Sequence, residues 1–596
     1  LASSLDVCML DGERAPLHEQ DERLPGYGSV DSGRLQSRKR LWISLKVLLV
    51  SCTILSIIMA LGFYLKPATA AAKHTSASVK KMLTDRGRGS PHRTHKLAIS
   101  PDILDSFPVD VRAALNPTVD PCDDFYEFAC GGWERITKIP TWQSAWAKQW
   151  DGVTTAVEQM TTKALEADPG PAGRFYRACM DTDTIQKLGA APLAKWLALV
   201  DDIRDHATLV RGLAQLAVAD ISAFFSWWVD ADSVDSAVNS FFVAQGGITM
   251  PDQTYYTADT AEMAGHRAAY TELIVSVMQL AGSSPADAQA DAANVVEVET
   301  AIARIMTDNA AERDEHGRRA TVEELSQLMP TMDWPNWFAM IGAPDVGTAA
   351  GGYLNLKNEA FLKGLEGILV GVGLPKIKSY LRWQVVYSYA PFLSFKFEDR
   401  LLAYNNDLYG ISHLPPRWRK CFFSTGGAMD MIVSRLFVDQ YFPEASRQAA
   451  LTMLEQIRDR FNLTLQTKDW MDPPTRARAV AKLEAMFLEV GHPTAWPAST
   501  FETFEEFGGV REGAYFDNCV ATNSYDVKKT LARLGKPVDR RRWGSSSATD
   551  VNSYYSRKVN GIFIPAGILQ PPFYTPKQAA ARNYGSVGAI CGHEMT

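Results

Sequence analysis

Gly592-His593-Glu594-Met595-Thr596 closes the sequence. It follows Val551-Asn552-Ser553-Tyr554-Tyr555, then Ile564-Pro565-Ala566-Gly567-Ile568-Leu569-Gln570-Pro571-Pro572-Phe573, then Asn583-Tyr584-Gly585. A His-Glu step gains chemical meaning when a second His stands four residues after the first, because that spacing stacks both imidazoles on one helical face toward a single ion. The Glu between them reaches a metal-bound water, whose pKa zinc lowers from ~15.7 toward ~7, and passes its proton to the leaving amine. Here the sequence ends one residue before that second His would stand. Taken alone, His593-Glu594 is equally compatible with a surface helix bearing an incidental His, so the rest of the chain has to decide.

The 596 residues are too many for one ordinary core and suggest roughly two to four domains. With 46% hydrophobic and 22% charged residues, most of the chain can offset its ordering entropy by burial, which excludes wholesale disorder. A net charge of -7 offers no global attraction for phosphate backbones, so nucleic acid is not expected as a partner. There is no G-x-S-x-G elbow and no G-x-x-x-x-G-K-[ST] loop, so serine hydrolase and P-loop readings lack their first requirement. No C-x-x-C occurs, which leaves zinc-ribbon and thioredoxin-like readings without support. His92 and His95 lie three apart but in a segment without helical periodicity, a poor metal site.

Val47–Leu65 carries no charge and is apolar on all sides, and at ~1.5 Å per residue it approaches the ~30 Å hydrocarbon core. It reads as a transmembrane helix rather than a cleaved signal, which would be shorter and nearer the start. The basic cluster Arg34, Arg38, Lys39 and Arg40 should stay cytoplasmic, although Lys66, Lys73, Lys80 and Lys81 weaken the asymmetry. An outside C-terminus agrees with the sequon Asn462-Leu463-Thr464, a candidate glycosylation site. It also agrees with six of the eight cysteines lying after the helix: Cys122, Cys130, Cys179, Cys421, Cys519 and Cys591. Cys8 and Cys52 should remain reduced. The predicted organisation is a cytoplasmic tail over 1–40, a transmembrane signal-anchor over 41–65, a stalk over 66–102, a helical region over 103–500, a connecting region over 501–550 and the start of a catalytic domain over 551–596.

The globular part reads as mainly α. Met453, Leu454, Ile457, Phe461 and Leu465 recur at helical spacing, with Glu455, Arg458, Asp459 and Asn462 on the opposite, wet side. Val153, Val157 and Met160 repeat the pattern. A further helix is expected to start at the cap Asp472 with Pro473 in its first position. Its stripe runs through Ala479, Val480, Leu483, Met486, Phe487 and Val490, and Gly491 and Pro493 stop it. β-character is confined mostly to short runs such as Tyr554-Tyr555 and Ile562-Phe563-Ile564.

The C-terminal motifs, in their order and spacing, closely resemble the neprilysin and endothelin-converting-enzyme family of membrane zinc endopeptidases. Earlier landmarks extend the resemblance over most of the chain after the apolar helix. They are Asp120-Pro121-Cys122-Asp123-Asp124-Phe125-Tyr126-Glu127-Phe128-Ala129-Cys130-Gly131-Gly132-Trp133, Phe175-Tyr176-Arg177-Ala178-Cys179-Met180-Asp181, Pro416-Arg417-Trp418-Arg419-Lys420-Cys421, Trp470-Met471-Asp472 and Pro537-Val538-Asp539-Arg540.

The resemblance implies a type II single-pass protein of the plasma membrane. Its largely helical ectodomain would have two lobes enclosing a cavity, one lobe beginning a thermolysin-like zinc peptidase site. It implies one Zn2+ per complete catalytic domain, with His593 as a zinc ligand and Glu594 as general base. Asn552 would bind the substrate backbone, with Ser553 beside it where the family usually has Ala. It implies oligopeptide substrates cut on the amino side of hydrophobic residues; a homodimer is left open. Cys179 is expected to pair with Cys421, and Cys122 and Cys130 with cysteines in a tail beyond Thr596. Cys519 and Cys591 match no cysteine of the family and are either a disulfide of their own or buried thiols. The second zinc His, a Glu ligand on a later helix and further transition-state groups would also lie beyond Thr596, so residues 1–596 read as an inactive piece of a longer peptidase. The alternative is a non-catalytic, membrane-tethered ectodomain that binds peptides or proteins.

Overall fold

The computed structural model describes residues 9–10, 101–308, 311, 317–496, 509–543 and 547–596. Of the expected tail only Met9–Leu10 are described, a short strand paired antiparallel with Trp146–Ala147 of the region expected on the other side of the membrane; the rest of the tail, the apolar helix and most of the stalk, with Cys8, Cys52, His92 and His95, lie outside the described residues. Among the described residues no single helix is long and apolar enough to cross a membrane.

Helices dominate. Helix α1 (Phe125–Ile136) is capped by Asp124, whose carboxylate accepts from the Glu127 N–H at 2.9 Å. A side chain at Gly132 would strike the Leu115 carbonyl at 2.3 Å, so two of the motif's residues are explained by packing and capping. Helices α2 (Lys148–Ala167) and α3 (Pro171–Met180) follow, with Val153 and Val157 buried on α2.

The larger core is built on a four-stranded sheet, more extensive than the short β-runs expected from the sequence. Strands β1 (Phe225–Ala231) and β2 (Asn239–Gln245) form an antiparallel pair. In the same core α4 (Ala261–Leu280) and α5 (Pro285–Ile305) pack against one another, while Trp334, Trp337 and Phe338 cover Phe225, Trp227 and Phe241 of the sheet. Strands β3 (Arg318–Ala320) and β4 (Leu354–Leu356) complete the order β1-β2-β4-β3. Helix α6 (Leu374–Tyr389) closes the core. β1 alternates buried and half-buried residues, so its period of two puts Phe225, Trp227 and Val229 inward.

Between this core and the next lies α7 (Arg417–Ala428). Cys421 on α7 is disulfide-bonded to Cys179 on α3, Cα–Cα 5.5 Å, the pair the resemblance implies. The flanking motif residues are anchors. Arg417 binds the Cys179 carbonyl at 2.6 Å and Glu398 at 3.0 Å. Arg419 forks onto buried Glu158 of α2 at 2.7 and 2.8 Å, and Lys420 pairs with Glu398 at 2.7 Å.

The second core gathers α8 (Glu444–Gln466), α9 (Pro473–Glu484), β5 (Phe487–Gly491), β6 (Tyr554–Ser556), β7 (Gly561–Pro565) and α11 (Val587–Met595), whereas α10 (Tyr515–Leu531) packs into the larger core and into a smaller core around Cys179 and Cys421. The cores therefore cut across the sequence segments 103–500 and 551–596. Asp472 caps α9 as expected, accepting from Thr475 N–H at 2.7 Å, but the helix stops at Glu484 instead of running to Val490. Phe487–Gly491 is a strand because it pairs in parallel with β7 over five positions. Its Glu489 turns into the interior to meet Arg541 at 2.5 Å, contacts a helix could not make.

The cysteines other than the bonded pair differ from expectation in part. Cys130 on α1 is disulfide-bonded and fully buried rather than orphaned, whereas Cys122 is free and exposed. Cys519 and Cys591 are free thiols buried in different cores, so they do not pair; burial pushes the Cys519 thiol up to about 12 and raises Cys591 further. Asn462 sits within α8, half-buried, accepting from Gln466 at 2.9 Å.

Two features yield predictions. Glu299 on α5 is fully buried and accepts from Tyr256 (2.6 Å), Tyr270 and Thr249 (both 2.8 Å) and Gln384 (3.0 Å). Burial outweighs these donors and pushes its carboxyl up to about 7 from an ordinary 4.5. A raised carboxyl favours the protonated fold, so its contribution is complete below about pH 4.5 and is lost as pH rises through about 7; Asp526 and Asp550, also raised by burial to about 7, add in the same direction. Thermal unfolding from about pH 5 to about pH 8 should show falling stability, and Glu299→Gln should flatten that fall by on the order of 2 kcal/mol. Separately, a Cβ at Gly561 would sit 2.2 Å from the Phe487 ring. Gly561→Ala should lower stability by about 1–3 kcal/mol, and Phe487→Leu in the same chain should recover part of it in the same assay.

Candidate active site

Helix α11 presents the His-Glu step. Val587, Ile590, Cys591 and Met595 are buried in the second core, partly against α8, and this fixes the helix's rotation. Ser586 ties its start to the preceding segment by donating to the Phe573 carbonyl at 2.5 Å. The rotation leaves His593 exposed and Glu594 half-buried, turned toward the sheet.

The sheet runs β5-β7-β6, so β7 is central, with all five residues buried, and β6 is an edge. Tyr554, Tyr555 and Ser556 of β6 pair antiparallel with Phe563, Ile562 and Gly561. One N–H on the edge strand's outer side is taken by the helix: Tyr555 N–H donates to Glu594 Oε2 at 2.9 Å. Ser553, buried, points its hydroxyl at Glu594 Oε1 at a longer 3.5 Å. Asn552 is exposed just before the strand, its Oδ1 accepting from the Ser553 N–H at 2.9 Å.

The fold thus brings Glu594 and Ser553 into contact, with His593 and Asn552 beside them on exposed backbone. Cys179 with Cys421, Cys122, Cys130 and Asn462 lie elsewhere. Tyr555 joins the site through its main chain, which residue type alone does not announce. Among the described residues no group of three His, Cys, Asp or Glu side chains converges to hold an ion. His593 fits one donor of a zinc site, an exposed imidazole beside a carboxylate, and the described residues do not supply a full donor set.

Known proteins place this arrangement. The model of peptidase family M13 matches residues 121–493 in its N-terminal part and residues 552–596 in its peptidase part. The endothelin-converting enzyme homolog of Locusta migratoria is 29% identical over 519 residues, 82% of this chain and 70% of that protein. Endothelin-converting enzyme 1 of Homo sapiens is 29% identical over 510 residues, 82% of this chain and 65% of its own length. The chain therefore spans about two thirds of the length of these relatives. Among solved structures, the Mycobacterium tuberculosis zinc metalloprotease Zmp1 in complex with an inhibitor superposes with a TM-score of 0.73 at 27% identity, covering 81% of this chain and 73% of that one. With one model matching more than half of the sequence and the second ending on the helix that carries His593 and Glu594, the chain belongs to peptidase family M13.

Proposed function

We propose that the protein carrying this chain is a zinc-dependent metalloendopeptidase of the neprilysin type that hydrolyses extracellular oligopeptides, on the amino side of hydrophobic residues. The observation that carries the reading is the placement of Glu594: one residue after an exposed imidazole, with its carboxylate held against the outer side of an edge strand. An edge strand offers unpaired main-chain groups to an extended peptide, which would lie across Glu594.

In this reading His593 holds the zinc with ligands from outside the described residues, and the bound ion supplies Lewis acidity toward the scissile carbonyl. Glu594 takes a proton from the attacking water on a carboxylate oxygen and returns it to the leaving nitrogen. Asn552 donates and accepts toward the substrate main chain, a dual role that suits a carboxamide. Ser553 and its neighbours contribute backbone contacts. The same proposal includes a type II anchor over residues 41–65, a catalytic domain outside the plasma membrane and a glycan on Asn462. It supports peptides as partners, not nucleic acid, and leaves a homodimer open.

The test is hydrolysis of a fluorogenic oligopeptide by the full-length protein. Turnover should vanish with chelation and return with zinc, and Glu594→Gln should cut kcat by about 10²–10⁴-fold. The chain 1–596 alone should show neither turnover nor stoichiometric zinc. Hydrolysis unchanged after chelation and in Glu594→Gln would defeat the proposal; peptide binding without turnover in the full-length protein would favour the tethered binding ectodomain.

A further inference from the structure

We propose that Asn560 is a positioning residue for this site: by joining α9, β5 and the Tyr555 side chain, it sets the edge strand so that the Tyr555 N–H meets Glu594. The proposal rests on the peptidase reading for its catalytic consequence but not for its structural claim.

Asn560 is the last residue of the turn between β6 and β7 and holds φ at 53°, a left-handed conformation that Asn tolerates better than other side chains. From there it makes three contacts with three partners. Its main-chain carbonyl accepts from Phe487 N–H at 3.3 Å, where β5 begins beside β7. Its side-chain Oδ1 accepts from the Tyr555 hydroxyl at 3.1 Å. Its Nδ2 donates at 2.9 Å to the carbonyl of Lys482, which lies in the last turn of α9, where carbonyls lack helical partners.

The same helix end grips Tyr555 a second way, because the Lys482 ammonium lies 5.2 Å from the centre of the Tyr555 ring. The ring of Tyr555 is thus held at its hydroxyl and over its π system, on the far end of the residue whose N–H donates to Glu594. β6 is only three residues long and among the described strands pairs with β7 alone, so the strand by itself has little to fix its register. Asn560 supplies that constraint through one carboxamide whose acceptor and donor are both used. Another residue could keep the turn or the hydrogen bonds, but a Gly would lose the bridge and most others would strain the backbone.

Tyr555→Phe removes one end of the bridge conservatively, and Asn560→Gly removes its middle while keeping the left-handed backbone accessible. Amide hydrogen exchange in the chain 1–596, read on a fragment spanning Tyr554–Val559, should show faster exchange in each variant and no further increase in the double variant. In the full-length protein each should lower kcat about five-fold with KM unchanged, again without addition in the pair. Additive effects, or lowered melting temperature with exchange and kcat untouched, would overturn the proposal. If the full-length protein fails to hydrolyse peptides at all, the exchange result still decides the positioning claim, and only the functional reading falls.

Discussion

The parallel pairing of Phe487–Gly491 with Gly561–Pro565 is the constraint from which the site follows. It makes β7 a central strand with no residue left in water, and so puts β6 on the sheet's edge. Parallel strands cannot be joined by a tight turn; they need a long crossover. Here the crossover runs through α10 and the segment beyond it, which draws the larger core into the sheet's construction. Glu489, buried within β5, fixes that return path through Arg541 at 2.5 Å. A charge placed there is costly unless paired, so the pairing is specific where purely apolar strands could slip.

A second set of contacts keeps the cores in register. Pro416–Cys421 puts Arg417, Arg419, Lys420 and Cys421 within one and a half helical turns of each other, and together they hold three buried partners: Glu158 on α2, Cys179 on α3, and Glu398, which Arg417 and Lys420 share. Glu158 and Glu398 are almost excluded from water and would be expensive alone. Their guanidinium and ammonium partners explain why so basic a motif lies in an interior junction and not on a solvated face. The catalytic reading of the chain does not need this motif to touch substrate; it needs the α2–α3–α7 junction to hold.

How far the fold could be read from the sequence depends on whether a residue's signal is local. Asp472 and Pro473 announce a helix start by their own chemistry, and the structure has it there. Met486, Phe487 and Val490 do not distinguish helix from strand: their apolar spacing suits both, and the partner strand that decides lies some seventy residues away. The alternation in Phe225–Ala231 was available to reading but is interrupted by Trp228, apolar on the outward face, where it stacks on Phe242. Glu299 stands at helical spacing from Val295 and Ile302, on the apolar stripe of α5, which signals burial, but the four donors that converge on it come from other segments and nothing local announces them. At the site, His593 and Glu594 were legible as a pair of reactive types, whereas the contribution of Tyr555 is a main-chain N–H, which every non-proline residue possesses.

That last asymmetry bears on how the site works. A carboxylate that must accept and release a proton needs an orientation more than it needs a strong partner, since a tightly bonded carboxylate is a poor base. The Tyr555 N–H at 2.9 Å and the Ser553 hydroxyl at 3.5 Å are two of the contacts that orient the Glu594 carboxylate. One layer further out, Asn560, Lys482 and the β5–β7 ladder hold the strand that carries the Tyr555 N–H. Precision at Glu594 is thereby inherited from groups that never approach the reacting atoms, and an edge strand of three residues can serve a site that demands sub-ångström placement.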